Sequence, residues 1–166
     1  MLTAEPRGLP SIYEVRDENG HHVGDVRLSP WLARGDILVD GARYRVRRDG
    51  GLFGPIALRR LDGPVARAVP LHAFSRAFSI RFGERIFALR SPSAWFREIR
   101  LLEGDQVIGT AVPEGVWSSR AHFDLPEALP LELRLFVVWL ALLAWRTWHG
   151  GAAAFSGTYQ VAPWRP

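Results

Sequence analysis

The residues of this chain whose types and spacing could do chemistry are arginines. Arg43, Arg45 and Arg47 occupy alternate positions of one predicted strand, so their three guanidinium groups share one face of it. Arg59 and Arg60 follow on the next predicted hairpin. A guanidinium group holds a phosphate through paired hydrogen bonds, which makes this arginine stripe a candidate site for a phosphoinositide or another anionic headgroup.

The arginine content of the whole chain favours a second interpretation of the stripe. All 21 basic residues are arginine and none is lysine, a bias that genomic base composition explains without selection for phosphate binding. The alternative is therefore a solvated outer face of a sheet. A net charge of +4 favours anionic partners. We do not expect nucleic acid as the partner, because the aromatic side chain near the stripe, Tyr44, should point inward.

No pattern of residues in the chain identifies a catalytic or metal site. The five histidines lack the spacing of a zinc site, and His21 and His22 are adjacent, so on a strand they point to opposite faces. The chain contains neither the Gly-X-Ser-X-Gly frame of a nucleophile elbow nor the Lys-Ser/Thr pair of a phosphate-binding loop. These observations predict a non-catalytic protein with no cofactor and no metal, with a site assembled from scattered residues as the alternative.

Composition predicts one globular domain. The 166 residues are 48% apolar and 23% charged, which is typical of a folded protein with a substantial core. The absence of cysteine excludes a disulfide framework and thiolate metal sites. The first residues contain a carboxylate and two prolines but no apolar stretch of the kind that secretory signals have. We therefore expect a cytoplasmic protein, associated with membranes if the stripe binds lipid.

Short runs of alternating polarity, separated by turn residues, dominate residues 11–123. Asp40-Gly41 is the clearest turn, because both residue types adopt the positive φ that a tight hairpin requires. The runs predict about eleven antiparallel strands, paired mainly with their neighbours in the chain. Phe78 and Ile80 alternate with polar residues, so one face of the sheet is dry and must be covered. The strands should therefore form two packed sheets or close on themselves.

An apolar segment after the strands can cover that dry face. Residues 135–145 are apolar without interruption and cover every side of a helix, so the helix must be enclosed by protein or lipid. The run is only about 16 Å long as a helix, against about 30 Å for the hydrocarbon core of a bilayer. We therefore predict a buried helix over about residues 130–148. Its core positions are Leu135, Phe136, Val138, Trp139, Leu142 and Leu143.

The alternative is a tail-anchored membrane protein, in which residues 131–149 span the bilayer and the strands form a head. Such a span would include Glu132, Arg134 and Arg146, and a charge near the bilayer centre costs roughly 2.5 to 3.5 kcal/mol. These charges lie toward the ends of the segment, where long side chains can reach the interface, so that cost is an upper limit. A buried helix needs no such compensation, and we expect no obligatory membrane span.

Residues 78–113 carry a resemblance to a known family. They read FSIRFGERIFALRSPSAWFREIRLLEGDQVIGTAVP, which is a strand, a turn, a strand ending in Leu-Arg, a basic strand, an acidic-Gly turn and an Ile-Gly-Thr strand. This succession resembles the tubby C-terminal-like superfamily, which includes tubby domains, plant LURP-one-related proteins and phospholipid scramblases. Residues 13–29, YEVRDENGHHVGDVRLS, are similar to a weaker copy of the same unit.

The resemblance implies a mainly β fold, a closed antiparallel barrel of about twelve strands that encloses one hydrophobic C-terminal helix. Pro6, Gly8 and Pro10 break regular structure, so residues 1–10 are predicted to be a loose leader. Residues 11–149 would be the barrel with its helix, and Gly150-Gly151 predicts a helix stop, which leaves residues 150–166 as a tail. Only the architecture is carried over from the resemblance; together with the arginine stripe, it leads us to predict a non-catalytic domain that binds anionic phospholipid, or docks a protein, at the cytosolic membrane surface. The cysteine-rich stretch and acidic calcium loop of scramblases are missing from the sequence, so lipid scrambling is not implied.

Overall fold

The structure, a computed structural model, describes residues 1–8, 11–29, 33–51, 54–71, 77–92, 97–115 and 120–154, with side chains up to residue 146. These residues contain twelve strands and one helix. The strands are β1 (Leu2–Pro6), β2 (Ile12–Asp17), β3 (His22–Leu28), β4 (Arg34–Val39), β5 (Ala42–Arg48), β6 (Ile56–Arg60), β7 (Gly63–Pro70), β8 (Phe78–Phe82), β9 (Arg85–Arg90), β10 (Ile99–Glu103), β11 (Gln106–Pro113) and β12 (Ala121–Asp124). The helix is α1 (Leu131–Ala154).

The strands form one closed antiparallel barrel. Each strand pairs with its neighbours in the chain, and β1 pairs with β12 as well as with β2, so no strand of the described residues is a free edge. The turn between β4 and β5 has the predicted geometry, because Asp40 and Gly41 have φ values of 47° and 73°. The predicted fold class, a closed barrel of mainly β structure with one C-terminal helix, is confirmed.

The predicted loose leader is wrong over Leu2–Pro6, because these residues form the strand that closes the barrel. Leu2 and Ala4 point into the core and are 3% and 0% exposed. Pro6 and Gly8 indicated irregular structure in the sequence, yet Pro6 is the last residue of the strand and still pairs with Tyr13 of β2. The strand is only five residues long. Its role in closing the barrel depends on its pairing with β2 and β12, which its own sequence does not indicate.

Burial of α1 confirms the predicted core helix, with one exception. Five of the predicted core side chains are 3% exposed or less: Leu135, Phe136, Val138, Trp139 and Leu142. Leu143 is only partly buried, and it packs against the edge of the core. Full burial of a large apolar side chain contributes roughly 1.5–3 kcal/mol, so the helix supplies a major part of the core.

The predicted end of the helix is also wrong. α1 continues through Gly150 and Gly151 to Ala154, although the glycine pair indicated a stop. Glycine in a helix interior costs roughly 0.5–1 kcal/mol, which weakens a helix without ending it. The rest of the predicted tail, residues 155–166, lies outside the described residues.

The alternative in which residues 131–149 span a bilayer is wrong, because the barrel encloses the centre of this segment. A Cβ atom on Gly24 of β3 would meet the side chain of Leu135, and Trp139 Nε1 donates a 3.0 Å hydrogen bond to the carbonyl oxygen of Arg27. Among the residues that the structure describes, no helix is both long and apolar enough to cross a bilayer.

The two ends of the barrel differ in their connections. Tight turns join β2 to β3, β4 to β5, β6 to β7, β8 to β9 and β10 to β11, and they lie at one end, which we call the turn end. The opposite end is the loop end. α1 runs from the turn end to the loop end, since Leu135 lies against Gly24 near the start of β3, whereas Arg146 Nη1 lies 3.5 Å from the carbonyl oxygen of Ser29, just after β3.

Candidate anion-binding groove

An open groove of about 590 Å³ lies on the outer wall of the barrel, over β2 to β5. Four exposed arginines line it, and we call them the groove arginines: Arg27, Arg34, Arg45 and Arg47. The other lining residues are Ser11, Ile12, Leu28, Ser29, Gly35, Asp36 and Val46. A volume of this size is within the usual range for sites that hold small ligands.

Strand register brings the groove arginines together from three strands. Arg34 on β4 lies directly opposite Arg47 on β5. Arg27 on β3 and Arg45 on β5 lie on either side of Asp36, which is their shared neighbour on β4. Directly opposite side chains start from Cβ atoms about 5 Å apart, and like charges placed in this way destabilise a sheet. A bound anion would relieve that repulsion.

The carboxylate in the groove lining is already occupied. Asp36 accepts two hydrogen bonds from Arg43, at 3.0 Å from Nε and 2.9 Å from Nη2. These bonds, together with the charge of Asp36, raise the pKa of the Arg43 guanidinium above its ordinary value. Because Arg43 neutralises Asp36, the charges of Arg27 and Arg45 remain available to a ligand.

The groove arginines have no acidic partner. None of the four forms an ion pair with any residue that the structure describes. Every Asp and Glu of the chain lies within the described residues, so this comparison covers all acidic side chains. Four uncompensated guanidinium groups around one groove are an arrangement suited to a phosphate or another multivalent anion.

The predicted arginine stripe is divided by these ion pairs. Arg45 and Arg47 face the groove as expected for an anion site. Arg43 is held by its carboxylate partner, and Arg59 forms a 2.9 Å ion pair with Asp49. The sequence pattern placed these side chains on the correct face but could not indicate which of them would keep an unpaired charge.

Arg60, the last residue of the predicted stripe, lies away from the groove. Arg59 lies opposite Arg45 in the regular pairing of β6 with β5, so Arg60, the next residue of β6, is on the other face of the strand. Arg60 Cζ consequently lies 5.9 Å from the centre of the Tyr44 ring, within the range of a cation–π contact. Tyr44 is 7% exposed, which confirms the expectation that it points inward.

Two of the groove arginines were not predicted from the sequence. Arg27 lies between Val26 and Leu28, and this alternation indicates that its side chain faces outward. Arg34 begins β4 beside Gly35 and carries no comparable signal. Their proximity to β5 depends on the pairing of β3, β4 and β5, which a pattern within one strand cannot reveal.

The buried helix anchors the strands beneath the groove. Trp139 Nε1 donates its hydrogen bond to the carbonyl oxygen of Arg27 from inside the barrel. Gly35, in the groove lining, leaves room for this contact, because a Cβ atom there would overlap the same carbonyl oxygen and lie 2.5 Å from Trp139 Nε1. The spacing of β3 and β4, and with it the spacing of Arg27 and Arg34, therefore depends on a residue of α1.

Comparison with known proteins leaves this geometry as the main guide to function. No family model, curated protein or solved structure matches this chain. Membership of the tubby C-terminal-like superfamily therefore stays a prediction, although the barrel and enclosed helix that the resemblance implied are present.

Anion binding is the chemistry that the groove residues offer. Ser11 and Ser29 supply hydroxyl groups to the lining, but the lining carboxylate, Asp36, is held by Arg43 and is not free to accept a proton from them. Within the described ranges, no group of three His, Asp or Glu side chains is placed to hold a metal ion. The groove lining thus supplies hydrogen-bond donors that suit a phosphate group, and it has no free carboxylate that could serve as a base for the serine hydroxyl groups.

Proposed function

We propose that this barrel is a non-catalytic domain that binds the phosphate-bearing headgroup of an anionic phospholipid at a cytosolic membrane surface. The observation that carries the proposal is the cross-strand pair of Arg34 and Arg47, which stands without an acidic partner beside Arg27 and Arg45. A like-charged pair of this kind costs stability unless an anion occupies it. Phosphate suits the pair because the planar guanidinium group matches its oxygens through two parallel hydrogen bonds.

A lipid headgroup fits the groove better than inorganic phosphate. The groove opens on the outer wall, so a headgroup can enter it while the acyl chains remain in the bilayer. Its volume of about 590 Å³ and the distribution of arginines over three strands leave room for more than one phosphate.

Changing Arg34 and Arg47 together to alanine should weaken vesicle binding about 100-fold, because each lost charge-assisted contact is worth roughly 1.5 kcal/mol or more. The measurement is flotation of the protein with phosphatidylcholine vesicles that contain phosphatidylinositol bisphosphate. Phosphatidylcholine alone serves as the blank. Circular dichroism confirms that the variant is folded.

The matched control changes Arg85 and Arg100 to alanine. It removes the same formal charge from the opposite wall, where these side chains pair with Glu103 and Glu98. We expect this variant to float almost as the unchanged protein does. Equal loss in both variants would show that only net charge matters, and no loss at Arg34 and Arg47 would refute the groove as the binding site.

Competition by a soluble headgroup distinguishes binding in the groove from attraction of the whole protein to a charged membrane surface. Inositol phosphates carrying the same phosphates should compete with vesicles for the groove and release the protein. Competition that fails, in protein that still floats, would assign binding to general surface charge or to another part of the chain.

Trp139→Phe should weaken the fold and the groove together. The change removes the hydrogen bond to the carbonyl oxygen of Arg27 and leaves a cavity, so the free energy of unfolding in urea should fall by about 1–3 kcal/mol. Vesicle binding should fall as well, because the lost hydrogen bond no longer fixes the spacing of β3 and β4.

Trp145→Phe is the control for that change, since Trp145 Nε1 also donates a hydrogen bond to a backbone carbonyl, that of Arg97, at 2.7 Å. It should lose similar stability and keep vesicle binding. If both variants bind equally well, α1 does not position the groove.

A further inference from the structure

We infer that the barrel meets an anionic bilayer with its loop end, and that its turn end points away from the membrane. The inference rests on the proposed function, because it takes the groove arginines to hold lipid headgroups, and it adds the orientation in which they do so. It is carried by the distribution of ion pairs between the two ends of the barrel.

Acidic side chains without partners gather at the turn end. Each of the five tight turns has an acidic residue within or beside it. Some are engaged: Glu103 accepts hydrogen bonds from Arg85, and Asp17 lies 3.3 Å from His21. Others form no ion pair with any residue in the described part of the chain, namely Asp40, Asp62, Glu84 and Asp105. Arg60 and Arg81 also lie near this end without an acidic partner among the described residues, but the four carboxylates outnumber them, so an anionic membrane would repel this end of the barrel.

The balance is reversed at the loop end. The acidic residues nearest this end are all engaged in ion pairs: Glu5 and Glu114 with Arg120, Asp49 with Arg59, and Glu98 with Arg100. Several arginines at the loop ends of their strands have no acidic partner among the residues described, namely Arg27, Arg34, Arg47 and Arg90. The described residues at the loop end therefore present uncompensated positive charge.

The length of the barrel makes this polarity effective. The longest strands have eight residues, so with the tilt of barrel strands the two ends are about 20 Å apart. Charges are screened over about 8 Å at physiological ionic strength. With the loop end on the membrane, the unpaired carboxylates are beyond the range of the anionic lipids. The reverse orientation brings those carboxylates to the surface and removes Arg27 and Arg34 from it.

Among the described side chains, the most exposed large apolar one lies at the turn end. Leu61, in the turn between β6 and β7, is 99% exposed, the highest value among the large apolar side chains of the described residues. Leu71 follows β7 at the loop end and is 44% exposed. Leu61 is adjacent to the unpaired carboxylate of Asp62, which an anionic interface disfavours. These two exposed leucines, one at each end, therefore report which end of the barrel meets the bilayer.

Single cysteines at the two leucines test the orientation, and the chain has no cysteine that would interfere. Leu71→Cys and Leu61→Cys are each labelled with an environment-sensitive fluorophore and mixed with vesicles of phosphatidylcholine and phosphatidylinositol bisphosphate. We expect a blue shift and a rise in fluorescence for the label at position 71 and no change for the label at position 61. Brominated lipids should quench only the label at position 71.

The outcomes separate the orientation from the proposed function. A response at position 61, at both positions or at neither, in protein that still floats with the vesicles, overturns the orientation and leaves headgroup binding in place. Absence of flotation for the unlabelled protein overturns both.

Removing the unpaired carboxylates tests the cause of the orientation. A variant with Asp40→Asn, Asp62→Asn, Glu84→Gln and Asp105→Asn keeps the groove and its arginines. In this variant the label at position 61 should begin to respond to vesicles, because repulsion of the turn end is lost. A label at position 61 that stays silent, with flotation unchanged, shows that the acidic turns do not set the orientation.

Discussion

Gly35→Ala should lower the free energy of unfolding by about 3 kcal/mol, at the upper end of the usual cost of overpacking a core. The new Cβ atom would overlap the carbonyl oxygen of Arg27 and lie 2.5 Å from Trp139 Nε1. Neither neighbour can move freely, because Arg27 is paired on both sides, to β2 and to β4, and Trp139 is fully buried. The strain must therefore separate β3 from β4, which also distorts the groove.

Gly51→Ala is the control for this change. A Cβ atom at Gly51 has no neighbour within 4 Å, so its substitution should alter stability by less than about 0.5 kcal/mol. Urea denaturation followed by circular dichroism gives both values. Equal midpoints for the two variants would contradict the close approach of α1 to β3 and β4.

Removal of residues 1–7 should cost more than about 4 kcal/mol, a large part of the total stability of an ordinary domain. Without β1, the facing sides of β2 and β12 become free edges, and the barrel opens onto its apolar core. Exposed edges pair with other chains, so the truncated protein should also aggregate. Denaturation and size-exclusion chromatography measure the two effects. A truncated protein that unfolds at the unchanged midpoint would restore the interpretation of these residues as a loose leader.

A pair of point changes tests the same strand without truncation. Ala4 is 0% exposed, so Ala4→Asp places a carboxylate in the core, where an uncompensated charge costs several kcal/mol. Thr3 faces outward on the same strand, with its Oγ1 3.2 Å from His122 Nδ1. Thr3→Asp should cost less than about 1 kcal/mol. Similar losses in both variants would contradict the inward position of Ala4.

Hairpins and the core helix could be predicted because their signals are local. Asp40-Gly41 specifies its turn through the φ values of two adjacent residues. The uninterrupted apolar run of α1 leaves no side of the helix suited to contact with water. Because the sheet has one apolar face that must also be covered, the helix is expected to pack against that face. Leu143 marks the limit of this reasoning, because it is only partly buried and uniform apolarity cannot show which side of a helix is less enclosed.

The binding site could be predicted only in part, because charge depends on partners that lie on other strands. The alternation of Arg43, Arg45 and Arg47 correctly placed three guanidinium groups on one face. Asp36 then removes Arg43 from the site, while Arg34 joins Arg47 across the strands. These relations follow from the register of β4 on β5, which no single strand encodes.

The sequence by itself determined the local elements: the tight turns, the faces of most strands and the apolar helix that had to be enclosed. Tertiary structure decided that β1 closes the ring, and it decided which arginines remain without a carboxylate. The physical reason is the same in both cases. Backbone pairing and ion pairing join residues that are distant in the chain, such as Thr3 and His122, which are 119 positions apart, and their energies exist only once the barrel has brought the partners together.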